Sequence, residues 1–280
     1  LTTLSIHNIA TFRMIALNRG IGLGEAYQLG YWSSNNIPRL LEWFCVNLTY
    51  IAPNVTPLAS YALSTILRLA ESLRHWTRRN TIKRSEQNIH AHYDLGNQFY
   101  KNFLDPSLTY SSAFFTNEAK TLEEAQTEKY DRICRKLDLQ PHHHLLEIGC
   151  GWGSFALYAA KNYGCKVTGI TISQAQYDEA RKRVVENGMT HRIEIRYADY
   201  RTLVGKFDRI ASIEMLEAVG QKFLDQYFQQ VDALLAPEGL AAVQVITTPN
   251  PLYDNYRKRV DWIQKHIFPG SHLPSSRRLL

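Results

Sequence analysis

No CxxC pair and no metal-ligand spacing connects the four cysteines, Cys45, Cys134, Cys150 and Cys165. Neither a zinc module nor a disulfide framework is therefore expected, and no metal site is assigned. The cysteines read as reduced thiols. With no cationic-then-apolar segment at the start, a cytoplasmic protein is expected. Charge of one sign is also scarce: 32 Lys and Arg against 26 Asp and Glu leave +6. That excess is too small to demand nucleic acid, yet it suits an anionic phospholipid surface. Nothing repeats and nothing is low-complexity. A 45% hydrophobic and 21% charged composition excludes disordered, collagen-like and polytopic membrane chains. Long apolar runs are missing too. Trp43 to Leu67 carries no charge, but Pro53, Pro57, Asn47 and Asn54 interrupt it, and unsatisfied backbone around two prolines argues against a membrane span.

The 280 residues allow one large domain or two modest ones. Residues 1–85 read as a small, mainly helical domain ending in a basic linker, and 86–280 as the larger domain. In the first, Ser33 to Asn36 offer N-cap chemistry before Pro38, and Leu40, Leu41, Phe44 and Leu48 follow at helical spacing. Between Arg74 and Arg84 lie five cations and Trp76 with no acid. This suits a solvated helix face or a contact with a membrane surface.

Beyond residue 120 the pattern becomes alternating. A helix Thr121–Leu137 precedes strand Leu145–Ile148, a glycine turn, a helix through Tyr163 and strand Lys166–Ile170. Helix Ser173–Asn187, strands Ile193–Tyr197 and Asp208–Ile213, helix Lys222–Leu235 and strand Leu240–Ile246 follow. The fold class is therefore α/β, a doubly wound parallel sheet, with ligands expected at the strands' carboxyl ends. Gly149-Cys150-Gly151-Trp152-Gly153 opens a helix after the first of these strands, a place where backbone N–H groups can approach a ligand. A nicotinamide dinucleotide would call for an acid at the end of the second strand, and Thr171-Ile172-Ser173 supplies none. Glu147 before the turn and Asp199 after the third strand suit S-adenosylmethionine (SAM) better, the first organising the loop and the second addressing the adenine side. Tyr110 and Trp152 offer aromatic faces to a sulfonium.

Several ordered motifs carry a resemblance. They are His92-Tyr93-Asp94-Leu95-Gly96-Asn97, Leu108 to Ala113, Leu146 to Gly153, Gly169 to Ser173, Glu214-Met215-Leu216-Glu217-Ala218-Val219-Gly220, and Ile267 to Gly270 with Leu273 to Ser275. Together they resemble the cyclopropane-fatty-acyl-phospholipid synthase family, relatives of the mycolic acid cyclopropane synthases. Gly22 to Tyr27 and Gly30 to Trp32 are similar to that family's N-terminal domain.

The resemblance implies a SAM-dependent methyltransferase core and transfer of a methylene to the cis double bond of a phospholipid acyl chain. It implies a carbocation deprotonated by bound bicarbonate. Tyr110, Ser111, Gly149, Gly151, Thr171, Ser173, Gln176, Asp199 and Tyr200 would line the SAM site, with Glu147 and Trp152 beside them. Glu217 would sit by the bicarbonate; Glu214 is nearby, but the motif puts the family's acid at Glu217. Ser112 stands where many members have Cys, and Gln244, two residues before Ile246, where they have His. Both can still hold an oxyanion, but neither titrates as imidazole does. These departures leave room for a methyl-branched or methyl-alkene product. Small-amine N-methylation, or SAM or lipid-surface binding without turnover, are more distant readings. Phe99, Tyr100, Phe103, Leu104, Phe114 and Phe115 would line an acyl tunnel or pack as core. The implied partners are a phospholipid surface on the inner face of the membrane, an unsaturated acyl chain and a second copy of the chain, with no nucleic acid. A final hairpin and a further tyrosine are expected beyond Leu280, so the chain reads as part of a longer protein.

Overall fold

The computed structural model describes residues 2–51, 96–117 and 120–280. The basic run 74–84, the expected boundary at 85/86, most of His92 to Asn97 and the latter half of the uncharged stretch lie outside these residues. The described chain forms two compact units. The sequence assigns residues 254–269 to the larger domain, whereas they cluster with the N-terminal residues.

In the first unit, β1 (Leu4–Ile6) pairs antiparallel with β2 (Trp32–Ser34), and α1 (Ala10–Gln28) connects them. Trp32 donates its indole N–H to Leu23 O at 2.8 Å and packs with Ala26 and Leu40. The helix α2 (Ile37–Ile51) starts where Asn36 Oδ1 accepts the Arg39 N–H at 3.0 Å, the N-cap expected from sequence. Leu40 and Phe44 face the small core. Leu41, one residue and about 100° further round the helix, faces solvent instead.

In the second unit a single helical turn, Asn97–Tyr100, precedes α3 (Leu122–Lys136), whose Thr121 and Glu124 form a capping box. It continues as β3 (His144–Ile148), α4 (Ser154–Tyr163), β4 (Lys166–Thr171), α5 (Gln174–Glu186), β5 (Ile193–Tyr197), β6 (Phe207–Ile213), α6 (Leu224–Leu234) and β7 (Leu235–Gln244). The five strands are parallel in the order β5-β4-β3-β6-β7. The chain winds outward from β3 through β4 to β5, then returns to the other side for β6 and β7. That reversal opens a crevice at the carboxyl ends of β3 and β6. Along β3, Leu145 joins one core layer while Leu146 and Ile148 join the other, so the alternation places Glu147 on the first side. The register of β7 slips against β6 between Phe207 and Arg209. The strand starts earlier than expected, where Leu235 pairs with Phe207, and ends at Gln244, leaving Ile246 beyond it.

Candidate active site

The loop after β3 passes through Gly149, Gly151 and Gly153 at φ of 81°, 52° and 83°. Side chains pay a steric penalty in that left-handed region. A Cβ on Gly149 would lie 2.7 Å from Met215 Cγ, whereas one on Gly151 would meet nothing within 4 Å. The loop is pinned at the first glycine and open at the second. Behind it, Glu147 is only 3% exposed. Burial pushes its carboxyl well above the usual range, although the Ala156 N–H and Lys129 draw it down. Ala156 belongs to the first turn of α4, so Glu147 braces the loop from beneath. Its Oε2 is buried without a hydrogen-bond partner. Arg183, which sequence reasoning missed, donates from one nitrogen to Ser107 O, Trp152 O and Ser154 Oγ at 2.8, 2.9 and 2.9 Å.

At the end of β4, Thr171 Oγ1 donates to Gln176 Oε1 at 2.8 Å and accepts the Ser173 N–H at 3.1 Å. Ser173 caps α5 by accepting the Gln176 N–H. All three side chains are buried; they shape this loop. At the end of β5, Asp199 is paired with Arg201 through Nε–H to Oδ1 at 2.8 Å and Nη2 to Oδ2 at 2.5 Å. The only sequence signal for this partner is a cation two residues downstream. Tyr200 is buried, its ring 5.3 Å from that of Tyr227 in the core beside α6.

The ends of β6 and β7 meet the segment 110–113 in one polar cluster. Ser112 donates its backbone N–H and its hydroxyl to Glu214 Oε1 at 2.9 and 2.8 Å. Gln244 Nε2 donates to the same oxygen at 2.9 Å and to Ser112 Oγ at 3.1 Å. Glu214 is thus the central acceptor, although the motif points to Glu217. Glu217 Oε1 accepts the Ile246 N–H at 2.5 Å, and its carbonyl accepts the His272 N–H at 2.9 Å. Burial, with the Glu214 carboxylate adding to it, pushes the Glu217 carboxyl up to about 7, against the pull of the Ile246 N–H. Glu217 Oε2 is a buried acceptor without a hydrogen bond.

Lys129, a second residue invisible to motif reading, projects from α3 and donates to Ser111 Oγ at 2.5 Å. Burial lowers its ammonium to about 8, opposed by Glu214, Asp105 and Glu147. Gln126 Nε2 holds Ser111 O at 2.8 Å. Tyr110 is raised by burial and by the Glu214 charge. Its ring lies 5.3 Å from that of Tyr100, which lies 5.1 Å from Trp152. Trp152 itself is buried with Tyr100, Leu104 and Leu108 and donates to Asn97 Oδ1 at 2.9 Å. The six tunnel candidates divide: Tyr100 is core and Leu104 packs against it, while Phe99, Phe103, Phe114 and Phe115 are exposed. The open cradle over Gly151, the orphaned Glu147 oxygen behind it and the Tyr110 ring fit a cationic nucleoside cofactor such as SAM.

Comparison with known proteins bears on this geometry. A model of the mycolic acid cyclopropane synthetase family matches residues 80–280. Tuberculostearic acid methyltransferase UfaA1 of Mycobacterium tuberculosis is 37% identical over 97% of this chain and 63% of its own length. Cyclopropane-fatty-acyl-phospholipid synthase of Escherichia coli K12 is 37% identical over 98% of this chain and 67% of its own. The chain thus spans roughly two thirds of these relatives. Among solved structures, mycolic acid cyclopropane synthase CmaA1 with SAH and CTAB superposes with a TM-score of 0.64 at 33% identity, covering 69% of this chain and 71% of that one.

Proposed function

The chain belongs to the mycolic acid cyclopropane synthetase family, and on that premise we propose that it moves a one-carbon unit from SAM to the cis double bond of an unsaturated phospholipid acyl chain, forming a cyclopropane ring. The observation that carries this reading is the Ser112, Glu214, Gln244 and Glu217 cluster at the crevice of the sheet, with exposed Phe99, Phe103 and Phe115 on the same unit.

When bound, SAM supplies an electrophilic methyl on a positively charged sulfur. Gly149 and Gly151 would hold it by close backbone approach, with Glu147 bracing their loop. The Thr171, Ser173 and Gln176 network would shape the neighbouring wall, and Asp199 and Tyr200 the adenine side. Lys129 and Gln126 fix the Ser111 segment, so that Tyr110 presents its ring to positive charge. An alkene is a poor nucleophile, so the site must exclude water and stabilise a transient cation. Exposed aromatic rings beside Tyr110 suit an apolar chain, Phe99 to Phe103 at 5.4 Å and Phe103 to Tyr110 at 6.3 Å between centroids. The cation is discharged by loss of a proton to a base. The resemblance implies bicarbonate as that base; Glu217, Ser112, Gln244 and Ile246 are the residues that would hold it.

The lipid is drawn from an anionic surface on the cytoplasmic side in this reading, and among the described residues no helix is long and apolar enough to cross a membrane. Incubation with vesicles of unsaturated phospholipid and methyl-labelled SAM tests the proposal. It should yield an acyl chain one methylene heavier with the double bond consumed; unlabelled lipid overturns it. A second reading, C-methylation to a methyl-branched or methyl-alkene chain, draws on Ser112 and Gln244 and on the similarity to a tuberculostearic acid methyltransferase. A labelled product that keeps an alkene favours it.

A further inference from the structure

The two side chains expected to cradle an external anion are already occupied from within. Ser112 contributes a hydroxyl and a backbone N–H, Gln244 an amide N–H, and all three converge on one oxygen of Glu214. The acceptor is placed deliberately. Glu214 immediately follows β6, at the switch point of the sheet, and its backbone N–H donates to Gln244 O at 2.8 Å. Its φ of 50° lies in the left-handed region, where a non-glycine residue is strained and is tolerated where surrounding contacts hold it. The elements packed around it bring Lys129, Tyr110 and Glu217. Glu214 opposes the burial-driven lowering of Lys129 and raises Tyr110 and Glu217. A free anion entering the same cradle would meet a carboxylate of like charge.

We propose that Glu214 is the catalytic base of the alkylation, its carboxylate taking the place of a bound bicarbonate. This rests on the lipid-alkylation reading above. The alkene π pair forms the new bond to the transferred carbon, and the departing sulfur keeps the pair of the broken S–C bond. The neighbouring chain carbon is left cationic. Glu214 then removes a proton from the new methyl, and the C–H pair closes the ring. Removal from an adjacent chain carbon instead leaves an alkene. Either way the proton passes from Glu214 to solvent. Three donors on one oxygen orient the carboxylate, and a carboxylate has about four acceptor positions, so it retains capacity for this proton.

The test compares wild type with Glu214→Gln and Glu214→Gly, each checked for folding by circular dichroism. SAM affinity by calorimetry should change less than about twofold. In bicarbonate-free buffer the wild type should turn over, while Glu214→Gln should lose about a hundredfold in kcat with KM held, the scale of a lost general base. Added bicarbonate should restore Glu214→Gly and leave the wild type unaffected. A readout without lipid is the magnetic resonance line of isotope-labelled bicarbonate, which should respond saturably to Glu214→Gly and not to wild type. Wild-type binding of bicarbonate, its stimulation by bicarbonate, or near-normal turnover of Glu214→Gln overturns the proposal. If no lipid product forms at all, the alkylation reading fails by itself, and the bicarbonate line still reports whether the cradle is filled.

Discussion

Glu217 and Glu214 are three residues apart in sequence, yet their surroundings set them apart. Glu217 is largely desolvated, with one oxygen on the Ile246 N–H and the other orphaned; Glu214 receives three donors. A motif identifies Glu217 by its neighbours along the chain, but the count of donors around Glu214 depends on residues 102 positions before and 30 after it. The burial of Glu217 has a consequence for stability. Its carboxyl ionises near 4.5 when unfolded and near 7 when folded. The unfolded state therefore loses its proton first, and stability falls as pH rises from about 4.5 to 7, then levels off. Glu217→Gln should abolish this share of the slope. Measured without SAM, its unfolding free energy from denaturant titrations should match wild type near pH 4 and exceed it near pH 8 by on the order of 3 kcal/mol at most. Equal pH slopes for the two proteins would contradict the burial argument.

The loop between β3 and α4 was legible from sequence as a glycine turn, but not which glycine gives room and which gives packing. Gly151→Ala should cost about 1–2 kcal/mol through its backbone angle, because nothing lies within 4 Å of the added carbon. Its main effect should be on SAM, with affinity by calorimetry falling at least about tenfold, on the order of 1.4 kcal/mol. Gly149→Ala adds a collision with Met215 and should unfold at clearly lower denaturant concentration than Gly151→Ala. Beneath the loop, Glu147→Gln keeps the shape of a protonated carboxyl and should be near neutral, while Glu147→Ala loses the brace on Ala156 and should cost about 2 kcal/mol. Denaturant midpoints for the four variants check both statements. The helices around this loop were readable to within a residue or two, since Thr121 with Glu124 and Ser173 with Gln176 cap them as their types require.

At the scale of the molecule, the first unit is completed from far along the chain. Glu25 of α1 meets Lys265 at 2.7 Å and His266 at 3.0 Å. Burial opposes its charge, but the Lys265 ammonium, with the His266 ring hydrogen-bonded beside it, holds its carboxyl below the usual range. Glu25→Gln should speed hydrogen exchange in Ala10–Gln28 and leave the β3–β7 amides unchanged; a uniform response would mean that the segment 254–269 is not what fastens the helix. No local pattern announces such a contact, because residues 241 positions apart share no periodicity. By itself the sequence determined the order of strands and helices, the parallel sheet and its glycine turn, since hydrophobic period and capping chemistry act over a few residues. Tertiary structure alone decided that Lys129 holds Ser111 and that Ser112 and Gln244 face Glu214. Burial and donor convergence belong to surfaces assembled from separate elements, and they exist only once the sheet has closed around its switch point.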